Sequence, residues 1–400
     1  MYRRYFFAGI ALLFLNVALS ACDPISDQPE LYEGDAILIG VALPVTGTLG
    51  GAGQSVTRGI HLAMNERAAG ERMINSLRGL TIALAFMDTE STAAGATQAY
   101  HGLIGFENLP VVIGPISSTA TEALIPVLNK NNIVSVGPTS SKTGLSAQSS
   151  YLFRSSLTGN RIIPPGVRTA KENLGFRNVA TLHNAGDAFS VSSNEVITEE
   201  LRSHSDVSIV TEASYSRPPG TAISEADIAG PLDAIMSTTP AVDAIFLSGL
   251  PEDQITILPA AYRRGNSAPF IANLLSILEV KTINEIEPGA AEGAVTFHIW
   301  LAGSSNTQSQ AFVRNYTQAY GVTPDDWAAR GYASATILLA ALQHTFEYDS
   351  NSIREALAGI DNFSSIFGSF SFNDDGDAVY DPMIAVVRDN EFVPWPVVGE

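Results

Sequence analysis

Val111-Val-Ile-Gly-Pro-Ile-Ser-Ser-Thr-Ala-Thr-Glu122 decides how the rest of the chain is read. An apolar run that stops at Gly114-Pro115 is the pattern of a strand buried on both faces, as in a parallel sheet. Ser117, Ser118 and Thr119 then open a helix, and Thr119 to Glu122 fits a T-x-x-E capping box. Two readings of these hydroxyls stand. They cap the helix, for which one suffices, or they join the free amide hydrogens of the helix start in holding an anionic group such as a carboxylate. A second hydroxyl cluster, Gly137-Pro138-Thr139-Ser140-Ser141-Lys142, follows the next strand, 133–136. Neighbouring parallel strands put both clusters at one sheet edge, where they make a small polar pocket.

Outward from this stretch the same alternation continues. Strands are expected at 36–43, 80–87, 179–183, 207–213 and 243–248, and helices at 54–69, 92–107, 119–130, 161–174, 194–203, 224–237 and 252–264. Pro164 and Pro165 fall in the first turn of the helix beginning at Arg161, where proline is tolerated. Strand–helix alternation in two series predicts an α/β protein of two doubly wound lobes. Ligands of open parallel sheets sit beyond the carboxyl ends of the strands, so the loops after the strands are the candidate site.

The chain has 400 residues, enough for two lobes of ordinary domain size. Its 46% hydrophobic and 16% charged composition is that of a packed protein. A formal charge of −19 with no run of Lys or Arg argues against nucleic-acid binding. Cys22 is the only cysteine, so an intrachain disulfide and a cysteine-based zinc site are both excluded.

The first residues read as an address. Arg3 and Arg4 precede an apolar run to Ala18, then Leu19-Ser20-Ala21-Cys22 and a polar stretch. L-S-A-C resembles a bacterial lipobox, whose cysteine is lipidated and becomes the first residue after cleavage. Residues 1–22 are thus expected to be a lipoprotein signal peptide and 23–35 a linker. The resemblance implies a chain held at the membrane by a lipid anchor only.

Enzyme signatures are missing. Gly47-Thr-Leu-Gly-Gly-Ala-Gly53 follows the first strand but lacks the spacing of a dinucleotide loop, and Asp88 comes late for a ribose-binding acid. No nucleophile elbow, Walker loop or H-E-x-x-H motif occurs, and the six histidines are scattered. Asn373-Asp-Asp-Gly-Asp377 lacks the alternating ligands of a calcium loop and reads as a tight turn between strands. The expectation is a binding protein, not an enzyme, with no cofactor and no metal.

Taken in order, I-G-V-A-L-P-V-T-G-T-L-G, V-I-G-P-I-S-S, V-G-P-T-S-S, Y-L-F-R-S, A-I-F-L-S-G-L-P-E, A-A-R-G-Y-A-S-A-T-I-L-L-A-A-L and F-G-S-F-S-F-N-D-D-G-D resemble the type I periplasmic binding proteins. The nearest branch resembled is that of lipoprotein relatives of the leucine/isoleucine/valine-binding protein, the extracytoplasmic receptors of ABC importers. The likeness runs from about residue 37 to 394. It implies two lobes joined by three crossovers, about 36–155 plus 301–367 and 156–300 plus 368–400, hinging shut on a small-molecule ligand and then meeting ABC permease subunits. Two other roles use this fold: a lipoprotein regulator of cell-wall synthases and a ligand-sensing receptor.

The resemblance also implies a site. The carboxylate-holding serine of amino-acid-binding members falls on Ser118, with Ser117 and Thr119 beside it. The second loop falls on Ser140 and Ser141. Three aromatic positions fall on Ala52, Phe189 and Leu250, and the acid that pairs the ligand ammonium falls at Asn273 or Leu274. A buried ammonium without its partner costs roughly 3–5 kcal/mol, about two to four decades of affinity. A free α-amino acid is therefore not the expected ligand unless Asp187 or Glu252 replaces the missing acid. A small carboxylate, an amide or another polar molecule with an apolar tail fits better.

Overall fold

The computed structural model describes residues 36–71, 81–106, 108–217 and 221–395. The expected signal peptide, Cys22 and the expected linker lie outside the described residues. The first half runs β1 (Ala36–Leu43), α1 (Gly50–Glu71), β2 (Thr81–Asp88), α2 (Ala93–Ile104), β3 (Val111–Ile113), α3 (Ser118–Asn131), β4 (Val134–Gly137) and β5 (Leu152–Arg154). These strands form one all-parallel sheet in the order β2-β1-β3-β4-β5. β3 and β4 are wholly buried; β3 is an unbroken apolar run, and the one polar side chain of β4, Ser135, donates to Gly114 O at 2.6 Å.

The second half runs α4 (Gly159–Leu174), β6 (Asn178–Asn184), α5 (Ala188–Ser203), β7 (Ser208–Tyr215), α6 (Glu225–Met236), β8 (Ala244–Ser248), α7 (Pro251–Arg263), β9 (Phe270–Ala272), α8 (Ile277–Ile286) and β10 (Val295–His298). The chain then returns through α9 (Thr307–Tyr320), α10 (Asp326–His344) and α11 (Ser350–Ala358) to β11 (Phe363–Ser365), β12 (Gly368–Phe372) and β13 (Ala378–Val379). It ends in β14 (Met383–Arg388) and β15 (Glu391–Trp395). The second sheet has the order β15-β14-β10-β9-β8-β6-β7, parallel except for β14 and β15. β11, β12 and β13 make a third, antiparallel sheet.

The chain therefore passes between the two large sheets three times: after β5, after β10 and after β13. Within each sheet the strands β2-β1-β3-β4-β5 and β7-β6-β8-β9-β10 repeat one order, with reversals between β1 and β3 and between β6 and β8. Such reversals open a crevice at the carboxyl ends of the strands. Here they set the loops after β1 and β3 against those after β6 and β8.

α10 closes this arrangement by packing across α1. A Cβ on Gly59 would lie 2.0 Å from the Ala328 carbonyl oxygen, and one on Gly331 would lie 2.1 Å from that of Val56. Two glycines thus let the helix backbones touch, which fixes the neighbouring residues of α10 in space. Fifteen of its residues are buried, Trp327 and Arg330 among them.

Several local expectations are corrected. α4 begins at Gly159, so Pro164 and Pro165 lie beyond its first turn. α5 begins at Ala188, six residues before the expected start, because the Asp187 carboxylate caps it through the Ser190 N–H at 2.9 Å. The Asn373–Asp377 stretch is the expected turn between β12 and β13, closed by Asn373 N–H donating to Asp377 O at 2.8 Å, with Gly376 at φ 88°. No helix among the described residues is long and apolar enough to cross a membrane.

Candidate functional site

A cavity lies at the facing carboxyl ends of the two sheets, with about 570 Å³ of atom-free space, part of it continuous with solvent. Ile116, Ser117 and Ser118 come from the loop after β3, and Thr139 and Ser141 from the loop after β4. Leu250 follows β8, Asn273 follows β9, and Phe189 stands in the first turn of α5. Leu157, Ile162, Phe297 and Ile299 add apolar wall. Six of the eight expected ligand-site positions, Ser117, Ser118, Ser141, Phe189, Leu250 and Asn273, thus meet around one space. The other two, Thr119 and Ser140, touch its surroundings.

The hydroxyls divide their work in a way the sequence pattern did not reveal. Ser117, not Thr119, caps α3, accepting from the Ala120 N–H at 3.1 Å. The cap therefore sits two residues before the expected one and the expected capping box does not form; Glu122 pairs instead with the Lys142 ammonium at 2.7 Å on the surface. Ser118 Oγ accepts from the N–H groups of Ser141 at 3.3 Å and Lys142 at 3.1 Å, with the Ser140 hydroxyl at 3.4 Å. Those contacts tie the two hydroxyl loops together, and the Ser118 hydroxyl proton is left to donate.

Thr119, released from capping, bridges the lobes. Its hydroxyl donates to Asp187 Oδ1 at 3.0 Å and accepts from the Ala188 N–H at 3.2 Å. Thr143 N–H donating to Ser192 Oγ at 3.3 Å adds a second bridge to α5. A smaller polar recess beside the main cavity shares Leu49, Ser117 and Leu250 with it and is bordered by Asp187 and Arg217.

Neither acid considered as a replacement for the missing ammonium partner is free. Asp187 is occupied by Thr119 and by the N–H and hydroxyl of Ser190. Glu252 accepts from Arg217 at 2.8 Å and does not line the main cavity. Burial raises the Glu252 and Asp253 pKa values, and Arg217 opposes this for both.

The charged group that does reach the cavity is Arg330, which was not among the expected site residues. It stands one turn after Trp327 on the same face of α10, and both side chains line the space. Its guanidinium carbon is 5.5 Å from the Trp327 ring centre, within cation–π range. Nε meets Asp326 Oδ2 at 3.4 Å and Nη1 donates to Ser156 Oγ at 2.8 Å, whereas Nη2 has no partner among the described residues. Burial raises the Asp326 pKa and Arg330 partly offsets this. Burial, with Arg330 nearby, pushes His298 down to about 3, so that imidazole is neutral at physiological pH. Trp327 Nε1 and Asn273 Oδ1 are buried without hydrogen-bond partners. The detectable signal was one arginine inside an Ala/Leu-rich helix, since a buried arginine needs a reason.

A family model for periplasmic binding proteins matches residues 36–391. The chain belongs to that family. Its members act outside the cytoplasm, and the family and fold are those of substrate-binding proteins. This periplasmic binding protein resembles in fold a leucine-binding protein from Thermotoga maritima, with 22% identity and a TM-score of 0.78 over 91% of this chain and 99% of that one. It also resembles a branched-chain amino acid transporter substrate-binding protein from Streptococcus pneumoniae in complex with isoleucine, with 19% identity and a TM-score of 0.78 over 90% and 99%. A third likeness is to an ABC transporter solute-binding protein from R. palustris in complex with benzoate, with 19% identity and a TM-score of 0.74 over 91% and 98%. No curated protein matches. Among the described residues, no group of three or more His, Cys, Asp or Glu is placed to hold a metal ion.

Proposed function

We propose that this protein is an extracytoplasmic receptor that closes on a small carboxylate with an apolar body and delivers it to the permease subunits of an ABC importer, without chemistry on the ligand. The carrying observation is the charge of the cavity. Arg330 lines it and, among the described residues, no Asp or Glu does. A guanidinium with an open Nη2 in a low-dielectric space favours a carboxylate through a charge-assisted hydrogen bond. Trp327 Nε1 beside it offers a second donor, and the Ser118 hydroxyl a third. The rest of the wall is mostly apolar and suits a branched or aromatic body. An α-ammonium meets no carboxylate there, so amino acids are poor ligands by the cost already given.

The test is calorimetry on soluble residues 23–400 with leucine, valine, their desamino acids and benzoate. Binding by acids and not by leucine is expected, with affinity lost in Arg330→Gln. Micromolar leucine binding that disappears in Ser118→Ala and survives Arg330→Gln would overturn this ligand class.

The moving bodies are assigned as 36–155 plus 301–380 and 156–300 plus 381–395. The third boundary is set after β13 instead of at 367, because β11 and β12 form a paired ladder across 367. Cys22 is assigned as the lipid anchor; mass spectrometry of the membrane-extracted protein should find the acyl groups on Cys22 and lose them in Cys22→Ser.

A further inference from the structure

The cavity holds a second recognition element whose chemistry differs from that of Arg330. Asn273 sits at the carboxyl end of β9, 6% exposed, with its side chain lining the space. Its backbone N–H reaches Leu247 O at 3.5 Å. Its carboxamide does nothing for the fold: Oδ1 is buried without a partner, and Nδ2 makes no hydrogen bond with any described residue. Whichever way the amide is turned, it therefore presents one donating and one accepting atom to the cavity. Its neighbours on the same wall, Leu250, Leu274 and Phe297, have no polar side-chain atom to meet it.

We infer that the ligand carries, besides its carboxylate, a group that both donates and accepts a hydrogen bond, a hydroxyl or a carboxamide, and that Asn273 receives it. This rests on the carboxylate reading above. A buried amide atom left without a partner costs free energy, so a ligand that fills the cavity gains affinity by bonding both atoms. A hydroxyl or amide serves both, whereas a plain hydrocarbon serves neither and an ammonium only donates. The arrangement also couples recognition to closure. Asn273 belongs to the lobe built on the seven-stranded sheet, and Arg330 and Trp327 to a helix packed on the other. A ligand with both groups is held by each lobe at a different end, and a plain acid by one.

The experiment is calorimetry on residues 23–400 with matched pairs: benzoate against 2-, 3- and 4-hydroxybenzoate and 4-carbamoylbenzoate, and 4-methylpentanoate against 2-hydroxy-4-methylpentanoate. At least one substituted acid should bind about tenfold or more tightly than its parent. In Asn273→Leu the gain should fall below about twofold, and a thermal melt by circular dichroism that matches the wild type reports that the variant is folded. Parent acids that bind as well as every substituted partner in the wild type would overturn the inference and leave the carboxylate reading standing. A gain that survives Asn273→Leu would remove Asn273 as the receiving group. If no acid in the set binds, both readings fall.

Discussion

Arg154 and Arg330 are both buried guanidiniums near the cleft, and they differ in how fully they are used. Arg154, at the end of β5, is completely buried. Its Nε donates to Ser146 Oγ at 2.9 Å and Asp377 Oδ1 at 2.8 Å, its Nη1 to the carbonyls of Ser140 at 3.3 Å and Lys142 at 2.6 Å, and its Nη2 lies 2.6 Å from Asp377 Oδ1. Arg330 has a long contact to Asp326, one hydroxyl and an open nitrogen. An arginine paired closely with a carboxylate holds a structure together, and one whose carboxylate contact is long is open to a further anion. Arg154 links the second hydroxyl loop to the β12–β13 turn, and so fixes the frame in which Arg330 acts.

The contrast fails first if Arg154 proves dispensable. Arg154→Met leaves the Asp377 carboxylate buried and unpaired, and the expected loss in urea unfolding is about 3–5 kcal/mol. Arg330→Gln should cost less stability, because burial already pushes Asp326 toward its neutral form. Its effect belongs in binding: about 3 kcal/mol of carboxylate affinity, roughly a hundredfold in calorimetric Kd. Equal stability losses in the two variants would erase the distinction.

A third change concerns Glu279, a buried carboxyl that feels the charge of Asp326. Glu279 caps α8 through Ser276, just after Asn273, and burial pushes it up to about 7 from 4.5. A carboxyl with a raised folded pKa stabilises fully below the unfolded value and loses that contribution as pH rises through the folded one. Stability should therefore decline between about pH 4.5 and 7 and level off above, with Glu279 contributing on the order of 3 kcal/mol. Glu279→Gln should flatten that decline in denaturation midpoints measured across the range; an unchanged slope would place the titration elsewhere. The smallest effect is expected from Thr119→Val. It removes the bridging hydroxyl between the lobes and should weaken ligand binding by about 1 kcal/mol, seen as a several-fold faster dissociation in stopped flow.

Much of this frame was legible in the residues. Apolar strands ending in Gly-Pro and hydroxyl runs located both loops of the cleft, because strand burial and turn chemistry are local. The cap was misread by two residues, since Ser117, Ser118 and Thr119 offer the same atom and only the helix start chooses among them. That shift hid the role of Thr119 against Asp187. Trp327 and Arg330 were missed for a different reason. They reach the cavity from a helix some 200 residues along the chain from the hydroxyl loops, placed by the close approach of α1 and α10 at Gly59 and Gly331, and no local pattern announces such a meeting.

The role of Arg330 is tested most directly by calorimetric titration of residues 23–400, wild type and Arg330→Gln, with each acid of the panel and its primary amide. The expected result is a wild-type preference for acid over amide of about a hundredfold, reduced to near equality in the variant. Acid and amide binding equally to the wild type, or the preference persisting without the guanidinium, would contradict it.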